Sequence, residues 1–341
     1  MMSHDKKINN IIFYWLNLGL ALIFLMIIVG GLTRLTNSGL SITEWELFKG
    51  VFPPFNETGW NDYFQLYKQI PQYYILYPNM TLDEFKIIFY WEYAHRVLGR
   101  LIGLFFLIPI IYFQFIKKIS FAELRPYYLI LFLIVFQGAL GWYMVKSGLV
   151  NDVTVSHYRL SLHLGLAIII ISIIFWQIMM LRENKEKVFF NTNKEKIPFI
   201  ILFFLIFIQI IFGAFVSGLD AGKIYQTWPL MGYNYFPDDS IIRNLNDLIN
   251  FENHSLVQFY HRNLAYLVTI YVCFISYLVL KKKDKKLNKI IFIFIIVLLT
   301  QILLGILTLL TNLHIVLASA HQISSVILIL TALRLYYSII K

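Results

Sequence analysis

Eight apolar runs, each about twenty residues or longer, leave this chain one environment in which to fold. A run of that length crosses the ~30 Å hydrocarbon core of a bilayer as a helix, which satisfies its backbone groups internally. The runs lie near residues 13–35, 92–116, 126–146, 157–181, 197–219, 254–281, 288–311 and 314–340. The expected class is an all-α integral membrane protein with eight transmembrane helices. Composition agrees, since 59% hydrophobic and 14% charged residues lie outside the range of a soluble domain of this length. The net charge of +10 does not point to nucleic acid, because the basic residues sit in short loops between apolar runs. The lipid bilayer is the expected partner. The N-terminal tail has no transit-peptide character, and the first run is long enough to remain as an anchor.

Loop charge predicts the orientation. The N-terminal tail, the 117–125, 182–196 and 281–289 loops and the C-terminal lysine together carry 17 Lys and Arg, and the opposite set carries 6. The positive-inside rule then puts both termini in the cytoplasm of a multi-pass cell (inner) membrane protein. The Lys281–Lys286 run reads as a topology determinant that also meets anionic lipid. The single cysteine, Cys273, excludes an internal disulfide, a thiolate zinc site and a cysteine-bound iron–sulfur cluster.

Four histidines stand out inside the apolar runs: His95, His163, His261 and His321. Ionisable side chains are costly in a bilayer and mark functional sites there. All four occur in even-numbered helices, which start from the outer face, at expected depths of ~5–15 Å at ~1.5 Å per residue. The other histidines, His4, His157, His254 and His314, sit in a tail or at helix ends and receive no role.

The chain also repeats itself. Gly30, Gly39 and Trp45 align without gaps to Gly213, Gly222 and Trp228. Glu92-Tyr-Ala-His95-Arg96 matches Gln258-Phe-Tyr-His261-Arg262, and Gln137-x-x-x-Gly141 matches Gln301-x-x-x-Gly305. Each half holds four helices, so the repeat is parallel. Two pseudo-symmetric four-helix bundles are expected, residues 1–183 and 184–341, each with two histidines on its second and fourth helices.

Two imidazoles facing each other across a bundle can ligate heme iron axially. Zinc or copper would call for further Cys, Asp or His ligands nearby, and none is evident. Arg96, Arg100, Arg159 and Arg262 lie close to the histidines, and a planar guanidinium suits a heme propionate. The competing reading is that these histidines bond between helices and the arginines snorkel to the interface. One position separates the halves: Glu92 sits one turn before His95, whereas Gln258 holds that place before His261. A carboxylate beside one site and an amide beside the other suggest proton or cation chemistry in the first half and electron storage or relay in the second. An ion pair between Glu92 and Arg96 is the plainer alternative.

Several stretches together resemble the heme A synthase family. They are Gly30-Gly-Leu-Thr-Arg-Leu-Thr-Asn-Ser-Gly-Leu-Ser-Ile42, Glu92-Tyr-Ala-His-Arg96, Gln137-Gly-Ala-Leu-Gly-Trp-Tyr-Met-Val-Lys-Ser-Gly148 and Tyr158-Arg-Leu-Ser-Leu-His163 in the first half. Gly218-Leu-Asp-Ala-Gly222, Thr227-Trp-Pro-Leu-Met231, His261-Arg262 and His321-Gln322 carry the resemblance through the second. It implies oxidation of a porphyrin methyl group of heme O to the formyl group of heme A, with water-derived oxygen. It further implies His95 and His163 beside the substrate heme, His261 and His321 as ligands of a resident heme b, and Glu92 as the catalytic carboxylate. Heme O synthase as donor, cytochrome oxidase assembly as recipient and an unidentified electron acceptor are the implied partners. Some members carry cysteine pairs in the loops after the first and fifth helices; this chain has none there and resembles the cysteine-free branch of proteobacteria and mitochondria. The main alternative is a di-heme electron-transfer protein of the cytochrome b type, which would need no such carboxylate.

Overall fold

The computed structural model describes residues 6–44, 49–117, 119–150, 152–190 and 193–340. Trp45, His4 and Lys341 of the sequence reading lie outside these residues. Among the described residues there are ten α-helices and no strand beyond one isolated bridge between Met231 and Asn234. In chain order they are α1 (Lys6–Leu35), α2 (Glu57–Tyr67), α3 (Leu82–Phe115), α4 (Phe121–Gly148), α5 (His157–Glu183), α6 (Ile197–Gly218), α7 (Leu245–Leu248), α8 (His254–Lys281), α9 (Lys285–Leu310) and α10 (Ile315–Ile339). Eight of them, all except α2 and α7, are long and apolar enough to cross a membrane. The chain is a multi-pass membrane protein.

All eight spans end within a few residues of the ends of the apolar runs. The largest departure is the start of α3, at Leu82 rather than near 92. Its first turns carry Asp83, Glu84 and Lys86, so hydropathy does not mark them. A reciprocal cap starts the helix instead: the Thr81 hydroxyl accepts from the Glu84 N–H, and the Glu84 carboxylate accepts from the Thr81 N–H. Glu92 and His95 therefore lie well inside a continuous helix, with folded chain above them. The same kind of cap opens α4 at Ser120 and Glu123.

The chain divides into two compact units, residues 2–174 and 175–341. In the first, α1 packs on α3 and α3 on α4. Trp15 anchors this contact, donating from Nε1 to the Phe105 carbonyl at 3.1 Å while its ring meets Phe106, Phe113 and Tyr127. Past the end of α1, the segment through Leu40 and Ile42 joins α2 in a buried aromatic cluster. Trp60, Phe64, Tyr67, Phe85 and Phe89 form its body and close over the start of α3. In the second unit α6 packs on α8 and α10, and α9 packs on α8 and α10. Near the end of α10, Trp176, Phe189, Tyr336 and Tyr337 form a ring cluster. Beside it Glu183 pairs with Lys187, Lys286 and Arg334.

Candidate functional site

The four histidines come together in two pairs, one inside each unit. His95 of α3 and His163 of α5 have ring centroids 6.5 Å apart, and His261 of α8 and His321 of α10 repeat the same 6.5 Å. Two metal–nitrogen bonds of about 2.0 Å, each continued about 1.2 Å to the ring centre, put paired imidazoles roughly 6.4 Å apart. Both spacings thus fit one metal ion held between two rings. Among the described residues no group of three or more His, Cys, Asp or Glu forms a metal cluster.

Each ring is seated on bare backbone. A Cβ built on Gly30 would lie 2.9 Å from His95 Cε1, and one on Gly141 3.0 Å from His163 Cε1. In the second unit the corresponding distances are 3.2 Å for Gly213 and His261, and 2.7 Å for Gly305 and His321. Ordinary carbon contacts are about 3.5–4.0 Å, so any side chain at these four positions would displace the imidazole. Four of the glycines that mark the sequence repeat, Gly30, Gly141, Gly213 and Gly305, are the seats of the four histidines.

One turn before three of these glycines stands a glutamine. Gln137 Nε2 donates to the His163 carbonyl at 2.9 Å, and Gln209 Nε2 donates to the His261 carbonyl at 3.0 Å. Gln209 Nε2 also lies 3.2 Å from His261 Nδ1, and His321 Nδ1 lies 3.1 Å from the Gln301 backbone carbonyl. Gln209 was not singled out by the sequence reading. Its counterpart before Gly30 is Met26, so the repeat does not reveal it, although Gln209-x-x-x-Gly213 has the spacing of the other two.

Glu92 is 3% exposed and fully engaged. Its Oε1 accepts from Arg96 Nε at 3.0 Å and Nη2 at 2.7 Å; its Oε2 accepts from the Ser41 hydroxyl at 2.8 Å and the Ile42 N–H at 2.9 Å. The ion pair with Arg96 is therefore present, as the plainer sequence reading had it. It is part of a wider cradle, however. Arg96 also donates to the carbonyls of Ile42 and Glu44, holding the segment that supplies Ser41.

The second unit copies this clamp. Arg262 donates to the carbonyls of Tyr225 and Thr227. These positions match Ile42 and Glu44 in the register that aligns Gly30 with Gly213. Buried Gln258 donates to the Tyr225 carbonyl at 2.9 Å, so its amide gives a hydrogen bond where Glu92 receives one. The backbone frame is shared, and the group held within it differs in charge.

The other two arginines are placed differently. Arg100 joins Arg96, Glu44, Tyr93 and Phe89 around a small cavity. Arg159 stacks on the Tyr143 ring at 3.8 Å and donates to the Tyr143 carbonyl at 2.8 Å.

Comparison with known proteins matches the sequence of this chain to one family. Residues 13–333 fit the family described as cytochrome oxidase assembly protein. The chain is 46% identical over 326 residues to a protein of Pelagibacter ubique named heme A synthase, covering 95% of each chain. It is 41% identical over 336 residues to the heme A synthase of Rickettsia felis, covering 97% of this chain and 98% of the relative. The heme A synthase of Rickettsia canadensis is 40% identical over 334 residues, with the same coverage. This chain belongs to the heme A synthase family. Membership accounts for the breadth of the match: it runs through both units, from α1 to α10, and takes in both histidine pairs and the Glu92 cradle.

Proposed function

We propose that this chain oxidises a methyl group of heme O to the formyl group of heme A, with the first unit as the reaction site. The observation that carries this assignment of roles is the contrast between Glu92 and Gln258 within a repeated frame of Arg clamp, glycine seats and paired histidines. A protein that only relays electrons has no use for a carboxylate in one copy and an amide in the other.

In this reading His95 and His163 hold the substrate heme, and His261 and His321 hold a resident heme b. The 6.5 Å spacing of each pair supports both assignments. The resident heme supplies one-electron transfer when bound. Arg100, which lines the small cavity together with Arg96, is the arginine best placed to meet a propionate. Arg96 is taken up by Glu92 and loop carbonyls, Arg262 by loop carbonyls, and Arg159 by its stack on Tyr143.

The chemistry balances with water as the oxygen source. Removing two electrons from the methyl carbon and adding water gives a hydroxymethyl group and two protons. A second round gives a geminal diol, which loses water to leave the aldehyde; four electrons pass to an acceptor outside the chain. Glu92 serves both rounds, balancing positive charge that develops at the carbon and taking a proton from the attacking water. Heme O synthase is the donor of substrate, and the assembling cytochrome oxidase is the recipient of product. Both termini are cytoplasmic and both heme sites lie toward the outer face.

The test is mass analysis of heme extracted from membranes in which the chain is produced together with a source of heme O. Heme A is the expected product. Unchanged heme O with a normal heme b signal would instead assign a di-heme cytochrome.

A further inference from the structure

The cradle of Glu92 contains one member unlike the rest. Arg96 and the Ile42 N–H can only donate, so they suit a carboxylate and offer nothing to an acid O–H. Ser41 can do both. Its hydroxyl donates to Glu92 Oε2 at 2.8 Å, and the same oxygen lies 3.3 Å from the Ile88 carbonyl, a second acceptor within reach of its hydrogen. Ser41 is 1% exposed and Glu92 3%, so no bulk water substitutes for either partner.

We propose that Ser41 is a positioning residue that lets Glu92 alternate between carboxylate and carboxylic acid in place. With Glu92 charged, the Ser41 hydroxyl donates to Oε2. When Oε2 takes a proton from the attacking water, the new O–H donates to Ser41 Oγ, and the Ser41 hydrogen turns to the Ile88 carbonyl. Only hydrogens move, no bond to Ser41 breaks, and the reverse turn resets the pair once the proton leaves. Without this switch, a protonated Oε2 would face only the Ile42 N–H, leaving a buried donor without an acceptor and disfavouring the protonated state. The second unit shows the complementary case. Gln258 never changes protonation, and the position matching Ser41 in the repeat register is Ile224, which has no hydroxyl. Hydroxyl and carboxylate occur together in one copy, and both are absent from the other.

This inference rests on Glu92 as the proton acceptor, and the experiment separates the two. Ser41→Ala, Ser41→Thr and Glu92→Gln are each produced in membranes with a heme O source. Heme O, heme A and the hydroxylated intermediate are then measured per heme b. Redox-induced infrared difference spectra of the heme-loaded protein give a second readout: the protonated-carboxyl band that vanishes in Glu92→Gln. Ser41→Ala is expected to lower heme A about 10–100-fold, less than the ~10²–10⁴ that a whole general base contributes because Glu92 itself remains, and to shift that band, with heme b unchanged. Ser41→Thr restores hydroxyl, yield and band position. Full heme A yield in Ser41→Ala alongside a failed Glu92→Gln would overturn the switch and leave Glu92 in its role. Loss of heme b in Ser41→Ala, not rescued by Ser41→Thr, would overturn it in favour of a structural hydroxyl. Full yield in Glu92→Gln would remove both readings at once.

Discussion

With His321 a heme ligand as proposed, replacing Gly305 with alanine is expected to separate heme binding from folding, because the seat constrains a ring that is free to move only when nothing is bound to it. The new Cβ would stand 2.7 Å from His321 Cε1, about 0.8–1.3 Å inside a comfortable carbon contact. Without a ligand, the imidazole relieves this by rotating about its side-chain torsions, at a cost within the ~1–3 kcal/mol of an overpacked site. With iron bound, the ring has no such freedom, since a retreat of that size is about half of a ~2.0 Å coordinate bond. Gly305→Ala is therefore expected to lose the bis-histidine low-spin heme signal almost as completely as His321→Ala, while the heme-free protein melts within a few degrees of wild type. Gly213→Ala provides the graded control. Its Cβ would lie 3.2 Å from His261 Cε1, only about 0.3–0.8 Å short, so the heme should stay bound with a shifted spectrum. The assay is electron paramagnetic resonance and heme content of protein purified in detergent, paired with thermal unfolding. An unaltered low-spin signal in Gly305→Ala refutes the seat as a constraint, and equal losses in the two variants refute the argument from distance.

Three further outcomes follow. Glu92→Gln should cut heme A formation by ~10²–10⁴ while heme b stays bound, measured as heme A, heme O and intermediate in extracts; wild-type yield would end the catalytic role of Glu92. His261→Ala and His321→Ala should each abolish the resident low-spin signal, and a full signal in both would exclude the second unit as its site. Reporter fusions in the 182–196 and 281–289 loops should read cytoplasmic and fusions near 55 and 235 external. An external reading for the lysine-rich 281–289 loop would invert the protein in its membrane.

Much of this was legible in the sequence for identifiable reasons. Spans are written in hydropathy, and buried histidines are conspicuous because a bilayer tolerates so few ionisable groups. The start of α3 was hidden because its first turns are polar, and Thr81-x-x-Glu84 was the only local sign of it. The cradle of Glu92 was hidden for a different reason. Its Ser41 and Ile42 donors lie 51 and 50 residues away in the chain, and only folding brings them to the carboxylate. Arg96 and Arg262 read as propionate partners because guanidinium chemistry is visible in a sequence. Their backbone carbonyl acceptors are not, since every residue has one. Gln209 shows the limit of reading by repeat: a feature that one copy has replaced with Met26 cannot be found by matching copies.

The glycine seats change what counts as the unit of inheritance in a protein like this. A histidine that faces a close-packed helix wall has nowhere to lie unless a gap has been left for it. The transferable part is a histidine together with the gap left for it on its neighbour: Gly30 for His95, Gly141 for His163, Gly213 for His261 and Gly305 for His321. Point mutation would have to make both changes, and either one alone gives a crowded ring or an empty notch. Copying half a gene moves gap and ring together. A chain built from two such halves can differ in the chemistry of each, as Gln258 and Ile224 differ from Glu92 and Ser41, while the places where the rings sit stay alike.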